Sequence, residues 1–502
     1  MIKKVLVANR GEIAVRVMRS LREMGIRSVA VFSDADRTSM HVRYADEAQH
    51  IGASASISSY LNIEKILEVA KECNVDAIHP GYGFLSENSH FAERCQQEGI
   101  SVIGPSPFAI ATMGDKITAR ITMLKAGVPV VPGTQEKISD IERAQEIIRN
   151  IGLPVMIKAS AGGGGKGMRL VKKESDVVSA ISAAQSEAMA AFGDNAVYIE
   201  KYIDSPHHIE YQILADRHGN TIHLFERECS VQRRHQKMIE ETPSPLLTPK
   251  VRAEMGAKAV AAAKAVGYYG AGTIEFIVDD NLNYYFLEMN TRLQVEHPIT
   301  ERVVGVDLVK EQIRIASGEI LRLKQEDLRQ NGHAIECRIY AEDSDNNFMP
   351  SPGIIRHISE PLGLGVRHDG YVYEGYEIPI YYDPLISKLI VWAQTREEAI
   401  SRMKRALFEY KITGVKTSIK FLERVMDAPD FRSGKYNTHF IENNLDFLLQ
   451  GPICGDVYED LAMITAYIDY IGHLESNRTA SQVAETTSNW KISGRKKAMS
   501  EN

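Results

Sequence analysis

Apolar and polar positions alternate most sharply along Tyr284-Tyr-Phe-Leu-Glu-Met-Asn-Thr-Arg-Leu-Gln-Val-Glu296. Glu288, Asn290, Arg292, Gln294 and Glu296 take every second position, and Leu287, Met289, Leu293 and Val295 fill most of the others. Successive side chains of an extended chain point to opposite faces, so this pattern predicts a strand with one polar and one mainly apolar face. At ~3.3 Å per residue, Glu288 and Glu296 would stand roughly 26 Å apart on a straight strand. That is too far for one small ion, so the row must bend or serve two neighbouring jobs. Upstream, Thr273-Ile-Glu275-Phe-Ile-Val278 reads as a partner strand and Asp279-Asp280-Asn281-Leu282-Asn283 as the turn between them. A symmetric ladder then sets Glu275 directly opposite Glu288, with Cβ atoms about 4.5–5.5 Å apart, where like charges repel. A divalent cation resolves the repulsion. Two carboxylates and the Asn290 amide make an oxygen-only set suited to Mg²⁺ or Mn²⁺. A merely solvated face usually mixes Lys with Glu; this one carries a single cation.

The rest of the chain supplies the setting. Over residues 1–105, Val5-Leu-Val-Ala and Ser28-Val-Ala-Val-Phe32 read as buried strands, with a helix from Glu12 to Met24 closed by Gly25. A helix at 62–73 and the strand Ala77-Ile-His-Pro80 continue the alternation, which predicts a parallel α/β sheet. Only Asn9-Arg10-Gly11 follows the first strand, and after Gly81-Tyr-Gly83 the third glycine is replaced by Ser86, which excludes a dinucleotide fingerprint. Ile103-Gly-Pro-Ser-Pro107 reads as a linker. Residues 108–130 read as helical up to Gly127-Val-Pro129, with Lys116 in the first helix.

Between Ile151 and Tyr202 the pattern changes to strand, glycine-rich loop, strand, a 174–191 helix and the strand Ala196-Val-Tyr-Ile-Glu-Lys201. Ala159–Gly167 holds five glycines, whose backbone N–H groups can approach a phosphate closely. It is not a Walker loop, because Lys166 is followed by Gly167 and then by a strand. Taken alone it is equally a mobile flap. The run Glu226-Arg-Glu-Cys-Ser-Val-Gln-Arg-Arg-His-Gln-Lys237 offers cations for a small anion; its plainer reading is a solvated edge strand, and its acidic flanks argue against RNA. Lone histidines such as His208 and His235 are more often structural than catalytic. Residues 332–445 form a last unit. It contains the strand His333-Ala-Ile-Glu-Cys-Arg338-Ile-Tyr, a second strand through Lys388, and a capped helix at 396–411 opened by Thr395-Arg-Glu-Glu398.

Bulk properties narrow the class. The 502 residues suggest about three domains, and 44% hydrophobic with 25% charged residues is ordinary for a soluble enzyme. A net charge of −7 gives no general reason to expect nucleic acid or an acidic membrane as partner. Cys73, Cys95, Cys229, Cys337 and Cys454 are scattered without a C-x-x-C pair, which suits reduced thiols in the cytoplasm and gives no zinc signature. The first apolar run is too short for a signal peptide, and no segment reaches the length of a membrane span.

The motifs in their order resemble the biotin carboxylase family of ATP-grasp enzymes. They are Ala8-Asn-Arg-Gly-Glu-Ile-Ala14, His79-Pro-Gly-Tyr-Gly-Phe-Leu-Ser-Glu-Asn88, Met113-Gly-Asp-Lys116, Ile157-Lys-Ala-Ser, Gly162-Gly-Gly-Gly-Lys-Gly-Met168, Gln232-Arg-Arg-His-Gln-Lys237, Gly270-Ala-Gly-Thr and Glu288-Met-Asn-Thr-Arg-Leu-Gln-Val-Glu-His-Pro298. The resemblance covers about residues 1–445, nearly 90% of the chain. It implies an N-terminal parallel α/β domain at 1–113 and an ATP-grasp domain at 114–330 with a mobile glycine-rich lid at about 131–203. A C-terminal mixed-sheet domain at 331–445 would follow, and past the resemblance residues 446–502 read as a helical extension with a polar tail. The fold class is thus α/β and α+β. By resemblance, Lys116, Lys158, Gly164, Gly165, Glu200, Lys201, Tyr202, Ile203, His208 and His235 bind ATP, with adenine near Lys201–Ile203. Glu275, Glu288 and Asn290 would hold Mg²⁺ or Mn²⁺, the set the hairpin argument reaches independently. Lys237, Arg292, Gln294 and Val295 would bind bicarbonate, Glu296 would be its base, and Arg338 would stabilise the biotin enolate. Ala161 departs from a longer glycine run, which bears on lid stiffness.

The chemistry suits these residue types. Phosphorylation by ATP turns bicarbonate, a poor electrophile, into carboxyphosphate, and cations neutralise charge on the transferring phosphoryl group. A nearby carboxylate removes the bicarbonate proton, and lid closure keeps water away. The resemblance implies the first half-reaction of a multisubunit acyl-CoA or pyruvate carboxylase, carried by a homodimer. No Ala-Met-Lys-Met-type hairpin occurs; Met403-Lys404 lies in a helix. The expectation is therefore a free-standing protein that works on a separate biotin carrier protein and serves a separate carboxyltransferase. In the tail, Val457, Leu461, Ile464, Ile468 and Ile471 are spaced 4, 3, 4, 3, a helical seam that either packs on its own protomer or docks a partner. Residues 474–502 have the polar composition of a disordered segment. Two competing functions are another ATP-grasp ligase, such as a carbamoyl phosphate synthase or purine-pathway carboxylase, and a regulatory scaffold that binds ATP without turnover.

Overall fold

The computed structural model describes residues 2–134, 138, 140–159, 168–192, 197–234, 236–450, 461–471, 493–494 and 496. Lys4–Val7 (β1), Arg27–Ser33 (β2), Glu47–Gly52 (β3), Ala77–His79 (β4) and Ser101–Val102 (β5) form one sheet in the order β3-β2-β1-β4-β5. All its pairings are parallel, as the strand–helix alternation predicts. Both faces are covered, which is why the strands read as continuous apolar runs. Val5 and Val7 pack with Ile13, Val17 and Leu21 on one side, and Leu6 packs with Ile66, Leu67 and Phe91 on the other. Strand β3 has a single buried residue and so carries little apolar signal.

The 103–107 stretch is a tight strand-to-helix turn. Ile103 is buried with its N–H on Ile78 O, and the Ser106 side chain caps the helix Pro107–Gly114. The helical region at 108–130 is two helices. Asp115 breaks it by capping Lys116–Lys125 through the Thr118 N–H at 2.8 Å, so Lys116 opens the second helix.

Val155–Ala159 (β6), Met168–Val171 (β7) and Val197–Lys201 (β8) form a small antiparallel sheet in the order β7-β6-β8. With the helices Ile141–Ile151 and Val177–Phe192 it closes its own core around Ile148, Val155, Ile157, Ile181 and Ile199.

The site is built on a larger sheet. Its strands are His207–Ala215 (β9), Thr221–Arg233 (β10), Gln236–Thr242 (β11), Gly270–Val278 (β12), Tyr284–Asn290 (β13), His333–Tyr340 (β14), Val366–Gly370 (β15) and Leu385–Ala393 (β16). The order is β13-β12-β9-β10-β11-β14-β16-β15, and every pairing is antiparallel. The pairing of β11 with β14 makes residues on either side of 330 share one sheet. At the far end, Ile335, Cys337, Ile339, Leu389 and Val391 pack against Ala399, Met403 and Leu407 of the helix Arg396–Glu409. Thr395 caps that helix through the Glu398 N–H, as the capping-box spacing predicts.

Residues 450–502 form a separate unit in which 461–471 are helical. Leu461, Ile464 and Ile468 are exposed, and Val457 lies outside the described residues.

Candidate active site at the end of the large sheet

The β12–β13 hairpin sets Glu275 directly opposite Glu288 and Thr273 opposite Asn290, the register the alternation predicts. Asp279 closes the turn by accepting the N–H groups of Asn281 and Asn283 at 2.9 and 2.8 Å. The strand ends at Asn290, six residues short of the alternating row. The cause is a competing acceptor: the Thr291 N–H goes to Glu87 Oε1 at 3.0 Å, and Arg292 Nε goes to Glu87 Oε2 at 2.8 Å. From there the chain turns back. Glu296 takes the N-cap position of the helix His297–Val304, with its carboxylate free of capping duty. The row does bend, and its far end returns beneath the near one.

That return creates a cluster centred on Lys237. Its Nζ lies 2.6 Å from Glu210 Oε2, 3.0 Å from Glu275 Oε1 and 2.7 Å from Glu296 Oε1. Glu275 Oε1 also accepts from Asn290 Nδ2 and Gln294 Nε2, both at 2.9 Å, and Oε2 meets His208 Nε2 at 2.8 Å. Arg292 reaches the same group through Gln294 Oε1 at 3.0 Å and Asn290 Oδ1 at 2.9 Å. Arg338 Nη2 donates to Glu296 Oε2 at 3.0 Å, and its Nε to Glu240 Oε1 at 2.6 Å. Arg227 holds Glu210 from behind at 2.5 Å. Burial pushes the Glu296 and Glu275 carboxyls up, but Lys237 with Arg338 at Glu296, and Lys237 with His208 at Glu275, together outweigh it, and both stay well below the carboxylate range. Lys237 is likewise lowered by burial but raised more by its three carboxylates. The site holds ionised acceptors beside fixed cations.

Glu288 differs from its neighbours. Among the described residues its carboxylate makes no hydrogen bond or ion pair, and desolvation in the cleft followed by the Glu275 charge raises its proton affinity. Carboxylates opposed on a ladder repel each other. Glu275, Glu288 and the Asn290 oxygen therefore fit Mg²⁺ or Mn²⁺ by donor chemistry. Two other clusters, His208/Glu210/Glu275 and Glu210/Cys229/Glu296, have ligand atoms within 4.8 Å of one another. The Lys237 ammonium already lies against both, so they do not need a metal.

The remaining expected residues are distributed as follows. Lys116 is exposed at the start of its helix and acts electrostatically on Glu288. Glu200 faces Arg120, and Lys201 donates to Gly152 O and Leu153 O at 3.0 and 2.9 Å. The Tyr202 N–H goes to Pro154 O, and Ile203 follows β8 half-buried. Val295 presents its carbonyl to Lys388 Nζ at 2.7 Å, inside the protein. Lys158 lies in β6 opposite Met168 and Tyr198. Gly164, Gly165 and His235 lie outside the described residues.

The structure corrects the reading of residues 226–241. Residues 226–231 and 238–241 lie buried at the centre of the sheet rather than on a solvated edge strand, while Gln232 and Arg233 are half-buried and Arg234 is exposed. Arg227, Glu226, Glu228, Glu240 and Glu241 are almost wholly buried. Arg227 pairs with Glu210, Arg252 with Glu226, and Arg396 and His333 with Glu241. Charge density alone resembles a wet surface, and the partners lie far off in the chain. Glu87, Glu210, Glu240 and Glu336 also belong to the site's surroundings, and no local pattern points to them: nothing near Glu87 in the chain signals that it holds Thr291 and Arg292.

Comparison with known proteins adds to this geometry. Three family models match: "Biotin carboxylase, N-terminal domain" at residues 1–110, "Carbamoyl-phosphate synthase L chain, ATP binding domain" at 115–324, and "Biotin carboxylase C-terminal domain" at 336–443. Biotin carboxylase 1 of Bacillus subtilis is 57% identical over 443 residues, 88% of this chain and 98% of its own. Biotin carboxylase of Nostoc sp. is 57% identical over 439 residues, again 88% of this chain and 98% of its own. The crystal structure of the biotin carboxylase domain dimer of Hydrogenobacter thermophilus 2-oxoglutarate carboxylase, with MgADP, ADP and bicarbonate, matches at TM-score 0.83 and 51% identity. It covers 89% of this chain and 99% of that one.

Proposed function

The chain belongs to the biotin carboxylase family, and from that membership we propose which of its residues carry each part of the reaction. The protein is an ATP-dependent ligase that carboxylates biotin, activating bicarbonate through its phosphorylation to carboxyphosphate. ATP, a divalent cation and bicarbonate are its small-molecule requirements, and biotin arrives on a separate carrier protein.

The observation that carries the residue assignment is the convergence of Glu210, Glu275 and Glu296 on the Lys237 ammonium, with Arg292, Gln294 and Arg338 at the rim. Lys237, Arg292 and Gln294 hold bicarbonate, and the Val295 backbone shapes the floor. Glu296, kept ionised by Lys237 and Arg338, accepts the bicarbonate proton. Arg338 turns to the biotin ureido oxygen and stabilises negative charge there. Glu275, Glu288 and Asn290 hold Mg²⁺ or Mn²⁺, which supplies charge neutralisation at the phosphates. Lys116, Lys158, Gly164, Gly165, Glu200, Lys201, Tyr202, Ile203, His208 and His235 line the ATP side. The unit formed by β6, β7 and β8 is the lid, with its own core to move as one body.

The carrier protein and a carboxyltransferase are the partners, and a homodimer is the working form. The described cysteines are free and buried, which suits a cytoplasmic protein; no helix among the described residues is long and apolar enough to cross a membrane. The test is turnover by the purified protein with MgATP, bicarbonate and free biotin. ADP release that rises with biotin and yields carboxybiotin supports the assignment. ADP release that ignores biotin and rises with ammonia would place the chain with the carbamoyl-phosphate-type ligases that its ATP-binding model is named for.

A further inference from the structure

Arg338, assigned above to biotin, is tied down from behind, and the tie is incomplete in a telling way. Glu240 on β11 lies directly opposite Glu336 on β14, and Arg338 lies opposite Lys388 on β16. Directly opposed residues share a sheet face, so the four form one charged row. The helix His297–Val304 covers it, with Ile299 and Val303 packed on Ala334 and Ile390 of the same face. Glu240, Glu336 and Lys388 are fully buried.

Donors and acceptors in this row do not balance. Lys388 Nζ is committed to Val295 O at 2.7 Å and to Glu12 Oε1 at 3.3 Å. Arg338 gives Nε to Glu240 and Nη2 to Glu296. Glu240 Oε2 and both oxygens of Glu336 are left buried with no hydrogen-bond partner among the described residues. Ionised carboxylates stripped of water and of donors are the costliest form of these groups, and opposing two of them adds repulsion. A single proton removes both costs. It neutralises one charge and supplies the O–H donor that the orphan oxygens lack.

We propose that Glu240 and Glu336 hold one proton between them and act as a positioning pair for Arg338. With the proton in place the pair carries one negative charge, and Arg338 can leave Glu240 for the biotin oxygen. When the proton departs, two negative charges draw the guanidinium back. The surroundings agree with this. Burial first, then Glu296, raises the Glu240 carboxyl to about 7 against Arg338 and Lys237. Burial also raises Glu336 well above its ordinary value, with Glu240 adding to it and Lys388 opposing. The other ionisable groups facing the pair are Glu296 and His297 at the start of the covering helix, Glu12 on the helix Gly11–Glu23, and Asp369 on β15 opposite Lys388. The two carboxyls titrate as a unit, with apparent values that belong to the pair.

Infrared difference spectroscopy and pH profiles of the full chain test this, with E336Q as the variant. The wild type should show the C=O stretch of a buried protonated carboxyl, and that band should bleach at the midpoint where kcat/KM for biotin falls on the alkaline side. E336Q should lose that one band and the fall, while the band of the buried Glu228 carboxyl stays in both proteins. One pH unit above the wild-type midpoint it should keep about tenfold more of its own plateau than the wild type does, with KM for ATP unchanged. The wild-type titration stands even if E336Q does not fold: a band and a profile with different midpoints would overturn the proposal, as would an E336Q profile matching the wild type. The proposal rests on Arg338 serving biotin, and R338M separates the two failures. Full biotin turnover in R338M would sink that assignment itself. Lost turnover in R338M beside an unchanged E336Q would sink the proton-sharing pair alone.

Discussion

The β10–β11 and β12–β13 hairpins lie in the same sheet with only β9 between them, and both alternate charged with apolar residues. In β10–β11 Arg227 donates to Glu210, Gln212, Thr300 and Thr273, and Glu241 is held by His333, Arg396 and Tyr436. In β12–β13, at the sheet edge, Glu288 has no partner among the described residues and Glu275 is shared among several. Arg227 and Glu241 of the first hairpin are therefore taken up within the protein, and Glu288 of the second is ready for something else. Unpaired charge tolerated at the rim of a cleft points to a ligand; the same group at the sheet centre must find a partner or take up a proton.

Removing one partner on each side gives the sharpest contrast. Arg227→Met leaves the fully buried Glu210 carboxylate with Lys237 alone and unpairs Oε1, and should cost about 3–5 kcal/mol, read as a lower midpoint in urea unfolding. Glu288→Gln removes a group with no protein partner among the described residues, so the unfolding midpoint should hold while ATP-dependent biotin carboxylation falls about 10²–10³-fold, the scale of losing one electrostatic stabiliser. A large stability loss in E288Q, or none in R227M, would erase the distinction. Arg292→Ala lies between them: its guanidinium reaches Glu87, Gln294 and Asn290 at the rim. Turnover should fall about 10²-fold with the fold retained, since it sits where charge develops and not in the core. Unchanged turnover in R292A would remove it from the bicarbonate pocket.

The contrast also explains which parts of the molecule could be read from the chain alone. Val5-Leu-Val and Ser28–Phe32 announced a buried parallel sheet because both faces are apolar, a signal contained within a few residues. Glu275 opposite Glu288 was legible because one short turn sets the register and like charges in register demand a cation. Lys237 was assigned by resemblance, but its triangle of carboxylates was invisible, since Glu210, Glu275 and Glu296 converge only after the chain breaks at Thr291. The burial of residues 226–231 and 238–241 is not legible, because local charge says nothing of a strand's place in the sheet.

The central hairpin also makes a pH prediction. Burial raises the Glu228 carboxyl to about 8 against the hydroxyls of Ser230 and Ser244. A carboxyl whose folded value lies above its unfolded value, about 4.3, stabilises fully below that value and loses the contribution as pH rises to 8. Folding stability should therefore carry a downward component of about 1.4 kcal/mol per pH unit over that window. Glu228→Gln should remove the component, seen as a flatter dependence of the urea midpoint between pH 5 and 8. A parallel dependence in both proteins would mean that Glu228 folds ionised.

The smallest effect belongs to the turn of the edge hairpin. Asp279 accepts from the N–H groups of Asn281 and Asn283 and from Asn283 Nδ2, all exposed. Asp279→Ala should cost about 1 kcal/mol, since water replaces the lost acceptor. The register that opposes Glu275 to Glu288 is held independently, because β9 fixes β12 from Gly270 to Val278 and β13 is fixed by the Phe286 N–H on Pro129 O and the Thr291 N–H on Glu87. Turnover should thus change little, and the loss should appear in the unfolding midpoint alone. A D279A protein with near-normal stability but collapsed ATP turnover would show that the turn, and not the sheet beneath it, sets the carboxylate pair. The edge hairpin would then be a loosely held ligand arm, and the contrast with its rigid neighbour would rest on motion as well as on charge.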